Sequence, residues 1–228
     1  MTALDVLPIA MLGGVLGLDV VSFPQAMVSR PLVAATVAGA LLGEPLAGLL
    51  IGVALELIAL ETLPFGASRY PEWGSASVVG AAIFATNRST HFAGAMSLGV
   101  VAALATTWVG GWTMVKLRQW NAVWAAKKRE ALEAGARGAV ISLQLMGMTA
   151  DLARGVLLTA IAYVLLAPLS TWCLARWSID AQVSRAIVVA AAASVAGGAA
   201  WKLFHSTAGA RWFFVGGLAV GLFLLFAQ

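Results

Sequence analysis

The feature that most restricts this chain is the run from Pro31 to Leu60, which is almost wholly apolar yet carries two acids, Glu44 and Glu56. Gly43-Glu44-Pro45 interrupts it near the middle. Proline lacks a backbone donor and restrains the residue before it, so one helix is expected to end here and another to begin. Each half holds roughly 13 to 15 residues, or about 20 Å at 1.5 Å per residue. A hydrocarbon core is about 30 Å thick, so neither half spans it comfortably alone. Two readings follow: a hairpin that dips into a bilayer and returns, or one long, kinked helix. Broken helices at membrane depth survive where protein or a polar cavity covers them, and transporters use their ends to hold solutes.

The rest of the chain supports a membrane solvent. Of 228 residues, 61% are hydrophobic and 11% charged, against about 45–50% and about 25% in soluble domains. The expected class is an all-α polytopic membrane protein with roughly seven to nine hydrophobic helical segments, at least one pair forming a re-entrant or broken-helix hairpin. Residues 1–228 read as one integral membrane domain, with a broken-helix half over 1–90 and a second helical half over 138–228. Between them, 116–137 holds six basic residues and two acids, Glu130 and Glu133. Leu117, Trp120, Trp124 and Ala131 fall at helical spacing there, as in an amphipathic helix lying at the cytoplasmic interface. The first residues lack a basic n-region, so the first apolar segment, about 6–23, is expected to be retained. Residues 61–77 read as a polar loop, 78–86 as a short half-span and 91–115 as a full span. Residues 141–149 read as brief, 156–172 as a span, and 185–200 and 212–226 as further hydrophobic segments.

Some chemistry is missing. The chain has no phosphate-binding Gly-rich loop ending in Lys-Ser or Lys-Thr, no dinucleotide fingerprint and no nucleophile elbow. Its single cysteine and two histidines do not have metal-site spacing, so no cofactor or metal is expected. The net charge of +4 comes mostly from 116–137 and is no nucleic-acid signal.

Acids inside membrane helices are costly and usually functional. Glu56 is flanked by apolar residues on both sides. It reads either as a partner of Arg30 or Arg69 or as an acceptor for a polar substrate. Asp19 reads as a partner for Arg30 or a ligand contact, and Gln25 as site or surface. Asp151 and Arg154 are spaced for a packing ion pair. Trp108, Trp112, Trp120 and Trp124 read as an interfacial belt, while Trp73 is the tryptophan to test for stacking on a sugar.

The ordered set Gln25-Ala-Met-Val-Ser-Arg-Pro31, Leu42-Gly-Glu-Pro45, Gly48-Leu-Leu-Ile-Gly52, Leu55-Glu-Leu57 and Gly66-Ala67 with Pro71-Glu72 resembles a known family. It is similar to enzyme IIC, the membrane subunit of the mannose/fructose/sorbose class of the sugar phosphotransferase system. Glu44 and Glu72 stand where that family usually has aspartates. The resemblance implies a subunit that passes a hexose across the bacterial cytoplasmic (inner) membrane. Its implied partners are the membrane subunit IID and the cytoplasmic phosphocarriers IIA and IIB, in an assembly open to homo-oligomerisation. The IIC chain itself is then a transport subunit and not an enzyme. The resemblance points to Gln25, Glu56, Gly66 and Ala67 as substrate contacts, and the polar residues Asp19 and Arg30 complete the expected pocket. Two other functions fit the same sequence: a secondary transporter of a small polar solute working alone, and a non-transporting scaffold of the same fold.

Overall fold

The computed structural model describes residues 3–60, 71–178 and 209–226, with scattered positions between 180 and 198. Gly66, Ala67, Arg69 and much of the 185–200 segment therefore lie outside the described residues. Among the described residues there are eight helices and no strand: α1 (Ala3–Leu18), α2 (Pro31–Leu41), α3 (Pro45–Ala59), α4 (Trp73–Asn87), α5 (Phe92–Lys127), α6 (Arg129–Glu133), α7 (Arg137–Leu174) and α8 (Ala210–Phe226).

Of the two readings of the 31–60 run, the structure takes the hairpin. Pro31 and Pro45 each open a helix, where the missing N–H costs nothing. Gly43 ends α2 with φ +76°. The Glu44 N–H bonds the Gly39 carbonyl at 2.7 Å, and the Gly43 N–H bonds Ala40 at 3.1 Å. This is a Schellman cap, in which glycine takes the left-handed position and the last carbonyls find donors. Gly43 therefore serves the turn. Gly39 and Gly48 form the face where the two helices meet. A Cβ on Gly48 would lie 2.2 Å from the Ala35 carbonyl oxygen. Gly48→Ala is accordingly expected to lose about 1–3 kcal/mol of stability through overpacking, read as a lowered thermal midpoint of the purified protein. At the turn, Glu44 pairs with Arg88 beyond α4, a half-exposed contact of the kind that contributes little.

The centre of the molecule is α4. Of its fifteen residues, all but Thr86 are buried, and it packs against α1, α2, α3, α5 and α7. The expected 61–77 loop is thus corrected: Trp73 to Ser77 form the first turn of the most buried helix. Trp73 is in the core and is not displayed for stacking. At 15 residues, about 22 Å, α4 is too short to cross a bilayer alone and is covered by protein instead.

The two long helices differ from expectation in a related way. α5 has 36 residues and α7 has 38, about 54 and 57 Å, so each overshoots a 30 Å hydrocarbon layer. Both are apolar and long enough to cross a membrane. Residues 116–127, expected within a separate amphipathic helix over 116–137, are instead the far end of α5; α6 and the turn at Gly135 then reverse the chain into α7. The 141–149 and 156–172 segments, expected as separate pieces, are parts of α7. Asp151 and Arg154 do not break it because each neutralises the other one turn away. Of the four tryptophans read as a belt, Trp108, Trp112 and Trp120 are exposed along α5 and Trp124 is half-buried.

Candidate functional site

α1 stops at Leu18, five residues before its expected end, because Asp19 turns the chain around its own carboxylate. One oxygen accepts the Ala26 N–H at 2.6 Å; the other accepts the Ser29 N–H and the Ser29 hydroxyl, both at 2.9 Å. Asp19 is buried, and its bonds hold a loop in which Gln25 and Met27 have φ of 58° and 62°. Such non-glycine conformations cost on the order of 1–3 kcal/mol each and persist only when surroundings impose them. Gln25 is exposed on this turn, its amide donating to the Val21 carbonyl at 2.8 Å.

At the end of the loop, Arg30 donates to Glu56 Oε1 through Nε at 2.7 Å and through Nη2 as well. Glu56 Oε2 accepts the Leu32 N–H at 3.2 Å, at the open start of α2. Glu56 thus joins both ends of the hairpin. Of the expected site residues, Arg30 and Glu56 are brought together, and Asp19 and Gln25 shape the turn beside them. A paired swap, Arg30→Glu with Glu56→Arg, is expected to recover part of the thermal midpoint that either single reversal lowers, the Leu32 N–H staying without its acceptor.

A second polar cluster lies deeper, between α1, α4, α5 and α7. Ser22 Oγ donates to Asp151 Oδ2. Arg154 Nε donates to Asp151 Oδ1 at 2.9 Å, and Nη1 reaches Thr113 Oγ1 at 3.4 Å. The two charged side chains are only 2% (Asp151) and 9% (Arg154) exposed. Beside them Glu72, 1% exposed, caps α4: its Oε1 accepts the Ser75 N–H at 3.1 Å. Its backbone is fixed as well, since the Thr107 hydroxyl donates to the Glu72 carbonyl at 2.6 Å. Arg154 and Asp151 act on its carboxyl with opposite sign.

The space around Glu72 is made by glycine. A Cβ on Gly17 of α1 would lie 3.2 Å from Glu72 Oε1; one on Gly110 of α5 would lie 2.8 Å from Glu72 Cβ and 3.2 Å from Oε2. Within that niche Glu72 Oε2 has no hydrogen-bond partner among the described residues, while Arg154 Nη2 lies 2.8 Å from Asp151 Oδ1 in the ion pair. A buried polar atom left unpaired costs about 1–3 kcal/mol, more when charged. This open acceptor, beside a guanidinium already paired with Asp151, leaves a position that a hydroxyl-bearing molecule can satisfy.

This geometry can be set beside known proteins. The family described as the sorbose-specific IIC component of the phosphotransferase system (PTS) matches residues 3–224. The chain belongs to that family. A curated relative, the PTS sorbose-specific EIIC component of Klebsiella pneumoniae, is 39% identical over 75 residues, covering 32% of this chain and 28% of that protein. A solved structure described as a membrane protein superposes with a TM-score of 0.73 at 19% identity, over 97% of this chain and 87% of the other. A cryo-EM structure of the mannose transporter ManYZ with a microcin gives 0.63 at 18% identity, with the same coverage. These two likenesses establish the fold. The chain is therefore an all-helical membrane protein of the sorbose-specific IIC family, in line with the resemblance read from its motifs.

Glu72 was within that motif string but outside the expected contacts, and Asp151 and Arg154 were read only as a packing pair. The signal for Glu72 was present: an acid after proline and just before a run of small and apolar residues is an N-cap pattern. It went unused because Trp73-Gly-Ser-Ala-Ser77 resembles a loop.

Proposed function

We propose that this IIC-family chain is the sugar-binding and translocating membrane subunit of a mannose-type phosphotransferase complex. It passes a hexose across the bacterial cytoplasmic membrane with a IID membrane subunit. IIB, recharged by IIA, phosphorylates the sugar as it emerges. The observation that supports this most is the unpartnered Oε2 of buried Glu72 beside the Asp151–Arg154 pair. In this reading Glu72 Oε2 accepts from a sugar hydroxyl, and the Arg154 guanidinium, paired with Asp151, stands beside it. Charge-assisted bonds of this kind are strong where water is excluded.

The other expected residues keep a place in the proposal. Gly66 and Ala67 precede Pro71 and Glu72 in the sequence and remain candidate contacts through the family resemblance. Asp19, Arg30 and Glu56 hold the 19–30 turn so that Ser22 meets Asp151, and Gln25 acts through that turn. Glu72 is buried, so the packing around it must open for sugar to reach it; alternating exposure of a site among broken helices supplies that opening. The basic tip formed by Lys127, Lys128, Arg129 and Arg137 faces the cytoplasm and offers a cationic landing surface to the phosphocarriers.

The test is uptake in reconstituted vesicles. Sugar is expected to accumulate as its phosphate only when IID, IIA, IIB and a phosphoryl donor are all present. Accumulation of free sugar by this chain alone, driven by a proton or sodium gradient, would show a secondary transporter instead.

A further inference from the structure

A cleft of about 350 Å³ opens between the outer part of α5, the first turns of α7 and the 19–30 turn. Its polar wall is Ser22, Asn121 and Gln144, and Trp124, Ala125, Leu143, Gly147 and Met148 complete it. None of these residues was among the expected contacts. Asn121 and Trp124 are three apart on α5 and share a face; Gln144, Gly147 and Met148 do the same on α7. Asn121 Oδ1 is buried and has no hydrogen-bond partner among the described residues. Opposite it stands Gly147, where a Cβ would lie 3.7 Å from Asn121 Nδ2 and 3.8 Å from Oδ1. The absence of a side chain at Gly147 thus leaves room for about one methyl group in front of the amide.

We infer that this cleft is a second subsite for a neutral, hydroxyl-rich ligand of monosaccharide size, lying between the Glu72 niche and the basic tip. Its volume is near the lower end of the ~300–1,000 Å³ typical of ligand sites. Asn121 and Gln144 each carry a donor and an acceptor, which a vicinal pair of hydroxyls matches. Trp124, half-buried unlike its exposed neighbour Trp120, presents an aromatic face for the C–H side of a sugar ring. The described lining has no charged side chain, so a phosphate, a lipid headgroup or another anion is a poor match. Position supplies the link to transport: Ser22 lines the cleft and donates to Asp151, so the cleft adjoins the core cluster. It also lies on the parts of α5 and α7 that lead to the basic tip. A sugar leaving Glu72 towards the phosphocarriers passes this cleft, and its amides hold the sugar there.

This inference rests on the sugar-transport reading, and the experiment separates the two. The full chain is purified in the assembly it forms in the membrane and titrated with mannose, fructose and L-sorbose. Trp124 emission is isolated as the difference between wild type and Trp124→Phe. A saturable sugar-dependent change is expected. Asn121→Leu should raise its half-saturating concentration about tenfold, the loss of one to two hydrogen bonds. Glu72→Gln should keep the signal while cutting uptake about 10- to 100-fold. Gly147→Ala meets Asn121 only at ordinary contact distance, so it narrows the cleft without a clash and guards against misfolding of Asn121→Leu; it should weaken the signal too. The inference is overturned by no Trp124 response to any of the three sugars, by a response unchanged in both cleft variants, or by one that disappears with Glu72→Gln. Uptake that survives Glu72→Gln instead sinks the core-site reading and leaves the cleft to be judged on its own variants.

Discussion

Glu72→Gln is expected to reduce sugar uptake by the complete complex about 10- to 100-fold, with the chain still inserted and assembled. Glutamine has nearly the same shape, and its amide oxygen can still accept the Ser75 N–H that Glu72 caps at 3.1 Å. What changes is the second oxygen. The carboxylate accepts a charge-assisted bond from a sugar hydroxyl, whereas the amide presents either a neutral oxygen or an N–H there. Hydrogen bonds to charged groups contribute about 1.5–3 kcal/mol, which corresponds to that range in affinity. Gly110→Ala should act similarly for a steric reason, since its Cβ would lie 2.8 Å from Glu72 Cβ and would push the acid from its niche. Glu72→Asp, which restores the residue usual in the family, should retain uptake but change the order of preference among hexoses, because the carboxyl is withdrawn by one methylene. Initial rates for labelled mannose, fructose and sorbose, normalised to protein in the membrane, read all three variants.

The second large effect is on stability. Arg154→Leu leaves Asp151 and Glu72 buried without their guanidinium neighbour, and losing one partner of a buried pair costs about 3–5 kcal/mol. Removing both charges, with Asp151→Leu and Arg154→Leu together, should cost less than Arg154→Leu alone, because Asp151 is then gone and Glu72 alone is left without the guanidinium. A fall in the thermal midpoint of the purified protein that is larger for the single variant than for the double is the expected pattern. The reverse order would mean that the pair stabilises the helices outright rather than neutralising a charge kept for another purpose.

How far the sequence was legible follows from where each signal sits. The hairpin was readable because Gly43-Glu44-Pro45 combines a left-handed cap with a helix-opening proline, and both act locally. The pairing of Glu56 with Arg30 was visible as one of two readings, since an acid in an apolar run needs a neutralising partner. α4 was hidden. A helix buried on all sides has no polar face, so it lacks the 3.6-residue alternation by which helices are recognised, and its serines and glycines imitate a loop. The continuity of α7 was hidden as well: Asp151 and Arg154 look like an interruption until their mutual contact is known. Glu72 became prominent only with the fold, because its niche is built from Gly17 and Gly110, distant in sequence and brought together by packing.

The most direct test of the account is equilibrium binding of sugar to the purified membrane assembly, by calorimetry and without phosphoryl donors. The account predicts saturable binding by the wild-type chain, loss of the core-site component in Glu72→Gln so that only cleft binding is left, and its recovery by Glu72→Asp. Wild-type affinity in Glu72→Gln would contradict it and would leave the buried acid as a structural cap for α4.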